Sequence, residues 1–373
     1  MIKQSDKKIM QFESFMEELL KEEKLIGASV AFVYHNEIFY SNGFGYANLT
    51  TKQKMTADTI MSIQSVSKSF AAVSIMQLVE KGLIELDRPL VDYLPYFQTT
   101  DKALSDKITV RQLLSHTAGF PHEIGIANLV TPNKNELPNF KEWQEKLGIS
   151  DETLASIQSF EDITKYFKNV TLDYSPGESW MYCTDAYAIV GDLFEKVSGL
   201  SWYDHMQENV FEKIGMTRTT LKPDIAENDQ DSSRYYIKND EGMLETPFPM
   251  NRIAAPAGFI YSTANDMATY LAANMDEDGL VLKKYSLKEM QKPYPNVEIP
   301  SPPNAEVKDI GYGLGWGQIK YKGLDIISHG GGYPGIRAWV AMIPEQKFGV
   351  VVLTNVDHAN PQEIALKGID LIL

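Results

Sequence analysis

A chain of 373 residues, 43% hydrophobic and 23% charged, has the makeup of an ordinary globular protein with room for two domains or one domain carrying a large insertion. The formal charge of −15 excludes nucleic acid as a partner, because phosphate binding needs clustered Lys and Arg, and it disfavours an anionic membrane surface. Cys183 is the only cysteine, so neither an intramolecular disulfide nor a thiolate metal cage can form.

The opening run MIKQSDKKIMQFESFMEELL lacks the unbroken apolar core of a signal peptide. No stretch approaches the roughly 18 apolar residues of a membrane span. The chain therefore reads as cytoplasmic, or as exported if a leader has been removed, with no membrane segment. Ile9, Phe12, Met16, Leu19 and Leu20 recur at helical spacing and predict an amphipathic first helix. ASVAFVY (28–34) and EIFYSNGFGYAN (37–48) follow as strands, with the turn-like His35-Asn36 between them. From 64 to 290 the pattern is mostly helical, with loops such as VTPNKNELPN (130–139) and KPDIAENDQD (222–231). Near the end, IRAWVAMI (336–343), PEQK and FGVVVLTN (348–355) make a second hairpin. A last helix from about Pro361 carries Ile364, Leu366, Ile369 and Leu373. Helix and hairpin at the start, hairpin and helix at the end predict one antiparallel sheet assembled from both termini. The α+β reading assigns 1–63 and 291–373 to a sheet domain and 64–290 to a largely helical insertion.

SVSKSFAAVSIMQLVEKG is a strong helix sequence with Gly82 as its stop. A helix starting near Ser65 puts Lys68 on the same face, within reach of the Ser65 hydroxyl. Free N–H groups and the positive dipole end favour negative charge developing at Ser65, and burial beside them helps Lys68 lose its proton. Short motifs are weak alone, and the bland reading is a polar helix start. Two further segments strengthen the case. SPGESWMYCTDAYAIVGDLFEKVSG (175–199) places Tyr182 just ahead of a helix, where a phenol held near Lys68 relays a proton. In IISHGGGYPG (326–335), His329 is followed by Gly330, Gly331 and Gly332, a backbone that lies flat against a ligand with its N–H groups exposed. The bland alternatives are a core tyrosine and a loose turn between strands.

Together these segments resemble the serine β-lactamase and penicillin-binding-protein-like superfamily, in particular its class C-like branch of D-aminopeptidases, DD-carboxypeptidases, esterases and β-lactamases. ITVRQLLSHTAGF (108–120), VFEKIGMTRT (210–219), APAGFIYSTANDMATY (255–270), YGLGWG (312–317) and VVVLTN (350–355) extend the resemblance over nearly the whole chain. It implies that Ser65 is the acylated nucleophile, Lys68 its base and Tyr182 the proton shuttle to the leaving group. His329, Gly330 and Gly331 stand where relatives carry Lys-Thr-Gly or His-x-Gly. The backbone N–H groups of Ser65 and Gly332 would form the oxyanion hole. The implied reaction is acylation of Ser65 by an ester or amide of a small molecule or peptide, then hydrolysis, with no cofactor and no metal.

Two positions depart from the family pattern. Thr184 stands where asparagine is usual, and its short hydroxyl donates and accepts less well than an amide. His329 replaces a lysine, so no fixed charge reads a substrate carboxylate. Both favour esterase or D-residue peptidase chemistry over efficient penicillin hydrolysis. Thr184 also leaves open a weakly active or non-turnover penicillin-binding or sensor protein. Arg337 reads as an exposed strand residue, His116 as scaffold and Cys183 as a packed thiol. The pocket walls are expected from the loops 121–160 and 222–252.

Overall fold

The computed structural model of the chain describes residues 2–276, 279–294 and 306–373. Helix α1 (Ile2–Lys21) leads into β1 (Gly27–Tyr34) and β2 (Glu37–Asn48). The turn between the strands is His35-Asn36, both left-handed at φ 50° and 66°, the type I′ geometry whose twist suits a tight hairpin. A short β3 (Gln53–Lys54) pairs with the end of β2. The principal helices that follow are α2 (Ser67–Glu80), α3 (Ala186–Ser198) and α4 (Ala264–Met275). The sheet resumes with β4 (Val307–Tyr312), β5 (Gly317–Tyr321), β6 (Leu324–Tyr333), β7 (Ile336–Ile343) and β8 (Phe348–Thr354), and α5 (Pro361–Ile372) follows.

The strand order is β3-β2-β1-β8-β7-β6-β5-β4, antiparallel throughout. β1 pairs with β8, Ala31 opposite Val351, so the two ends of the chain meet inside one sheet, as the terminal hairpins predict. IRAWVAMI is apolar nearly throughout because β7 is covered on both faces. Ala338, Val340 and Met342 face the large core under the helices. Trp339, Ala341 and Ile343 face a smaller core closed by α1 and α5. There Phe12 of α1 meets Phe32 of β1 edge-on, ring centroids 5.0 Å apart.

α2 is buried on all sides from Ser67 to Leu78, which Ser69 and Ser74 tolerate because they bond back to the local backbone, while Ser67 accepts from the Ile260 N–H. Ser69 donates to the Val66 carbonyl at 2.8 Å and Ser74 to that of Ala71 at 2.6 Å. The helix stops at Gly82, left-handed at φ 69°, with the Leu83 N–H returning to the Leu78 carbonyl at 3.0 Å. The central region is largely helical but departs from expectation in two places. KPDIAENDQD holds a short helix, Pro223–Asn228, with proline in its first turn. Tyr235–Asn239 and Gly242–Thr246 form a hairpin where a loop was expected. That hairpin is pinned by a distant contact, the Ser62 N–H donating to the buried Tyr235 hydroxyl at 2.8 Å, which local periodicity does not reveal. Among the described residues no helix is long and apolar enough to cross a membrane.

Candidate active site

The helix expected from Ser65 begins instead as a single 3-10 turn, Gln64–Val66, which passes into α2 at Ser67. Ser65 is the second residue of that turn, so its N–H lies among the early donors that find no acceptor within it. Gln64 just before it is left-handed at φ 48°, a conformation that costs a non-glycine residue on the order of 1–2 kcal/mol. Its side chain is locked in compensation, Nε2 donating to the Ser62 hydroxyl at 2.8 Å. Nothing in the local sequence marks this strain.

Lys68, one turn on, is fully buried. Its Nζ lies 3.0 Å from the Ser65 hydroxyl oxygen and donates to the Ala257 carbonyl at 2.6 Å. Burial brings its pKa down to about 7, with Cys183 and Asp185 pulling weakly the other way. Tyr182 comes from the segment before α3, its ring centroid 5.0 Å from Nζ. Burial pushes its phenol well above the ordinary tyrosine value, and a hydrogen bond with Ser65 acts in the opposite sense. Ser65, Lys68 and Tyr182, distant in sequence, are therefore brought together.

The His329-Gly-Gly-Gly segment is not a turn. It is the second half of β6, and the turn lies beyond it at Pro334-Gly335. The β5 partner ends at Gly317 opposite Ser328, so from His329 onward one edge of β6 is open. Alternation along an antiparallel pair sends the hydrogen bonds of His329, Gly331 and Tyr333 to β7. The N–H and C=O of Gly330 and Gly332 then face the open edge. Gly331 is where β6 crosses the Ser65 turn: a Cβ there would sit 2.4 Å from the Ile63 carbonyl oxygen. Only glycine lets the strand approach this closely.

His329 is neutral, its pKa brought down to about 3 by burial and then by Lys68. Its tautomer follows from its partners. The Gly330 carbonyl can only accept, so Nδ1–H donates to it at 2.7 Å, and Nε2 accepts from the Tyr312 hydroxyl at 2.8 Å. Neither nitrogen offers a positive charge. Arg337 is half-buried rather than exposed, its guanidinium donating to the carbonyls of Tyr333 and Ile336.

Thr184, two residues after Tyr182, is partly exposed and is not among the residues lining the cleft beside Ser65, and the adjoining Asp185 serves the scaffold, accepting from the backbone N–H groups of Ala127 at 2.7 Å and Gly125 at 3.1 Å. His116 packs under Tyr182, ring centroids 4.3 Å apart, accepting from the Cys183 N–H at 3.2 Å. Its scaffold role is thus exercised at the site itself. His122 has no companions in the sequence that suggest a metal site, and its Nδ1–H donates to the Tyr182 carbonyl at 2.8 Å. Cys183 is buried, and burial pushes its thiol well up.

A cleft of about 410 Å³ opens beside Ser65 and Tyr182. Its walls correct the loop expectation: they come from strand residues such as Tyr312, Ile319, Gly330 and Trp339, with Trp180 and with Gln362 of α5, and no residue of 121–160 or 222–252 lines it. The reason is topological, since the early end of β5 leaves the gap in the sheet that the cleft fills.

An antiparallel sheet built from both termini, faced by helices and carrying a Ser-x-x-Lys turn against its open edge, is the β-lactamase/transpeptidase fold. The chain belongs to the Beta-lactamase family, which matches residues 12–371. Protein flp of Staphylococcus aureus (strain MRSA252) is 23% identical over 362 residues, covering 94% of this chain. The chain spans just under two thirds, 66%, of that relative's length. Penicillin-binding protein 4* of Bacillus subtilis (strain 168) is 25% identical over 370 residues, covering 95% of this chain and 74% of the relative. The octameric penicillin-binding protein homologue from Pyrococcus abyssi is similar in structure at TM-score 0.81 and 28% identity, covering 98% of this chain and 77% of that one. A D-stereospecific amidohydrolase from Streptomyces sp. shares the fold at TM-score 0.73 and 23% identity, covering 92% and 93%. The chain is thus a β-lactamase-related protein.

Proposed function

We propose that this protein is a serine hydrolase that forms an acyl-enzyme on Ser65 and cleaves an ester or amide, such as a small ester or a D-residue peptide. The observation that carries the reading is the Lys68 amine, buried, with its pKa near neutrality and 3.0 Å from the Ser65 hydroxyl. In the neutral amine that contact reverses, the Ser65 O–H donating to the nitrogen lone pair, which is the geometry of general-base activation. Attack on the carbonyl carbon creates an oxyanion, for which the N–H groups of Ser65 and Gly332 are the candidate donors. The proton taken by Lys68 passes through Tyr182 to the departing atom, and water then releases the acyl group. The Lys68 amine touches the Ser65 hydroxyl and the Tyr182 phenol is hydrogen-bonded to Ser65 as well, so both ends of this relay meet at Ser65.

The test is turnover of a chromogenic ester, with fluorophosphonate labelling, by wild type and Ser65→Ala. We expect labelling to vanish and turnover to fall by about a thousandfold or more. Equal rates would remove Ser65 from the mechanism. Thr184, in the place of the usual amide, supports a second reading, a penicillin-binding or sensor protein that acylates without turning over. Intact-mass spectrometry after penicillin or an activated ester separates the two: a persistent adduct supports the sensor, rapid product the enzyme.

A further inference from the structure

Tyr182 is held in place by a turn far from it in sequence. The stretch that carries it, 171–185, has neither helix nor strand, so no secondary structure of its own fixes the phenol. The turn that ends the short helix Val110–Leu114 does so instead. Its carbonyls accept from that stretch in order: Gly119 from the Asp173 N–H at 2.9 Å, Thr117 from the Gly177 N–H at 2.7 Å, and His116 from the Met181 N–H at 2.9 Å. His116 then accepts a second time, its Nδ1 taking the Cys183 N–H at 3.2 Å. One residue thus holds both chain neighbours of Tyr182, and its ring lies 4.3 Å from the Tyr182 ring between centroids.

The turn itself does not call for histidine. His116 follows the last residue of the helix end, Ser115, and is left-handed at φ 60°, with the Thr117 N–H returning to the Gln112 carbonyl at 3.0 Å. Glycine is the usual residue at that position and asparagine the next, because a Cβ is unfavourable in this conformation. The side chain carries a second cost. A backbone N–H can only donate, so Nδ1 must accept, and the neutral ring holds its proton on Nε2. Burial, and then Lys68, keep the ring neutral. Nε2 is buried and has no hydrogen-bond partner among the described residues. A left-handed backbone and an orphaned donor both count against stability, so the gain lies elsewhere, in what Nδ1 and the ring face do at Tyr182.

We infer that His116 is the positioning residue of Tyr182, clamping the backbone on either side of it so that the phenol meets Ser65 and the departing atom. The inference rests on the Ser65 acylation reading, in which Tyr182 gives its proton to the departing oxygen or nitrogen and regains one from Lys68. His116 does not line the cleft and acts through Tyr182 alone.

Two esters with one acyl group read this: p-nitrophenyl butyrate, whose phenolate departs readily, and p-methoxyphenyl butyrate, whose phenolate needs the proton more. For each, kcat/KM reports acylation, and the ratio of the two measures the help that Tyr182 gives. We expect His116→Gly, which keeps the left-handed turn, to lose at least about tenfold more on the p-methoxyphenyl ester than on the p-nitrophenyl ester. His116→Asn, which tolerates the same backbone and offers its side-chain oxygen to the Cys183 N–H, should recover most of that loss. Adding His116→Gly to Tyr182→Phe should leave the ratio where Tyr182→Phe alone sets it. Equal losses on both esters in His116→Gly make His116 ordinary packing and overturn the proposal. An Asn variant no better than the Gly variant overturns the part assigned to Nδ1. Nitrogen NMR of isotope-labelled histidine rings in the wild type depends on no variant folding: Nδ1 bare and Nε2 protonated is the expected result for His116, and the opposite tautomer overturns the clamp. Turnover of both esters that survives in Ser65→Ala, a Tyr182→Phe with an unchanged ratio, or no turnover and no Ser65 adduct at all sinks the acylation reading instead, and this inference with it.

Discussion

Lys68 shows how one side chain trades stability for chemistry. Its amine is removed from water with no carboxylate in direct contact, only the Ala257 carbonyl and the Ser65 hydroxyl. The folded protein holds its pKa near 7 against 10.5 for a free lysine. Between those values the unfolded chain binds the extra proton, so stability must rise with pH from about 7 until the unfolded lysine titrates. Below pH 7 both states are protonated, and the native state carries the full penalty of a buried charge. From pH 7 to 9 the wild type should gain about 2 kcal/mol that Lys68→Met lacks. Denaturant unfolding of both proteins at the two pH values reads this, and parallel pH profiles would refute it. The same titration sets the rate. The amine is the base only when neutral, so kcat/KM should climb tenfold per unit below pH 7 and level off above it. Lys68→Arg, cationic at every pH, should stay inactive across the whole range.

At the scale of elements, the site depends on β6 lying flat against the Ser65 turn. Gly331 is the contact point: a Cβ would fall 2.4 Å from the Ile63 carbonyl oxygen and 3.0 Å from the Gln64 Cβ, both fixed atoms. Gly330, one residue away on the other face, would make only ordinary contacts, with the Trp339 ring at 3.6 Å and the Ala338 carbonyl oxygen at 3.8 Å. Gly331→Ala should therefore cost about 1–3 kcal/mol and slow fluorophosphonate labelling of Ser65, while Gly330→Ala leaves the unfolding midpoint nearly unchanged. Equal midpoints for the two variants would mean that β6 is free to shift. The glycine run itself was legible in the sequence, but its strand character was not, because glycines carry no alternating pattern to read. Ser65, Lys68 and Tyr182 were legible because their chemistry is written in residue types. The left-handed Gln64, the Tyr312 hydroxyl on His329 and the cleft at the end of β5 were not, because each depends on a partner elsewhere in the chain. Terminal helices and hairpins read correctly for the opposite reason: their apolar periodicity and turn residues are local.

For the whole molecule, the central strands bind two cores into one unit. β1, β7 and β8 send alternate residues to opposite faces: Ala31, Val340 and Val351 to the core under the helices, Phe32, Trp339 and Val350 to the core under α1 and α5. A sheet shared in this way cannot lose one face and keep the other, since the pairing of β1 with β8 and of β8 with β7 serves both. Trp339 and Ile319 carry the linkage further, belonging to the outer core while lining the cleft. Phe12 probes this from the far side. It is fully buried on α1, packed against Phe32 at 5.0 Å and Phe44 at 6.4 Å between ring centroids. Phe12→Ala should destabilise the protein by about 3–5 kcal/mol through lost burial and the cavity left behind. Well below the unfolding temperature its ester turnover should match the wild type, because no atom of the Ser65 cluster has moved. On heating, activity, far-ultraviolet circular dichroism and tryptophan fluorescence should fall together in one transition at a lower temperature. Activity outlasting the first loss of helix signal would show that α1 and α5 peel away separately, and that the outer core is an attachment rather than part of the cooperative fold.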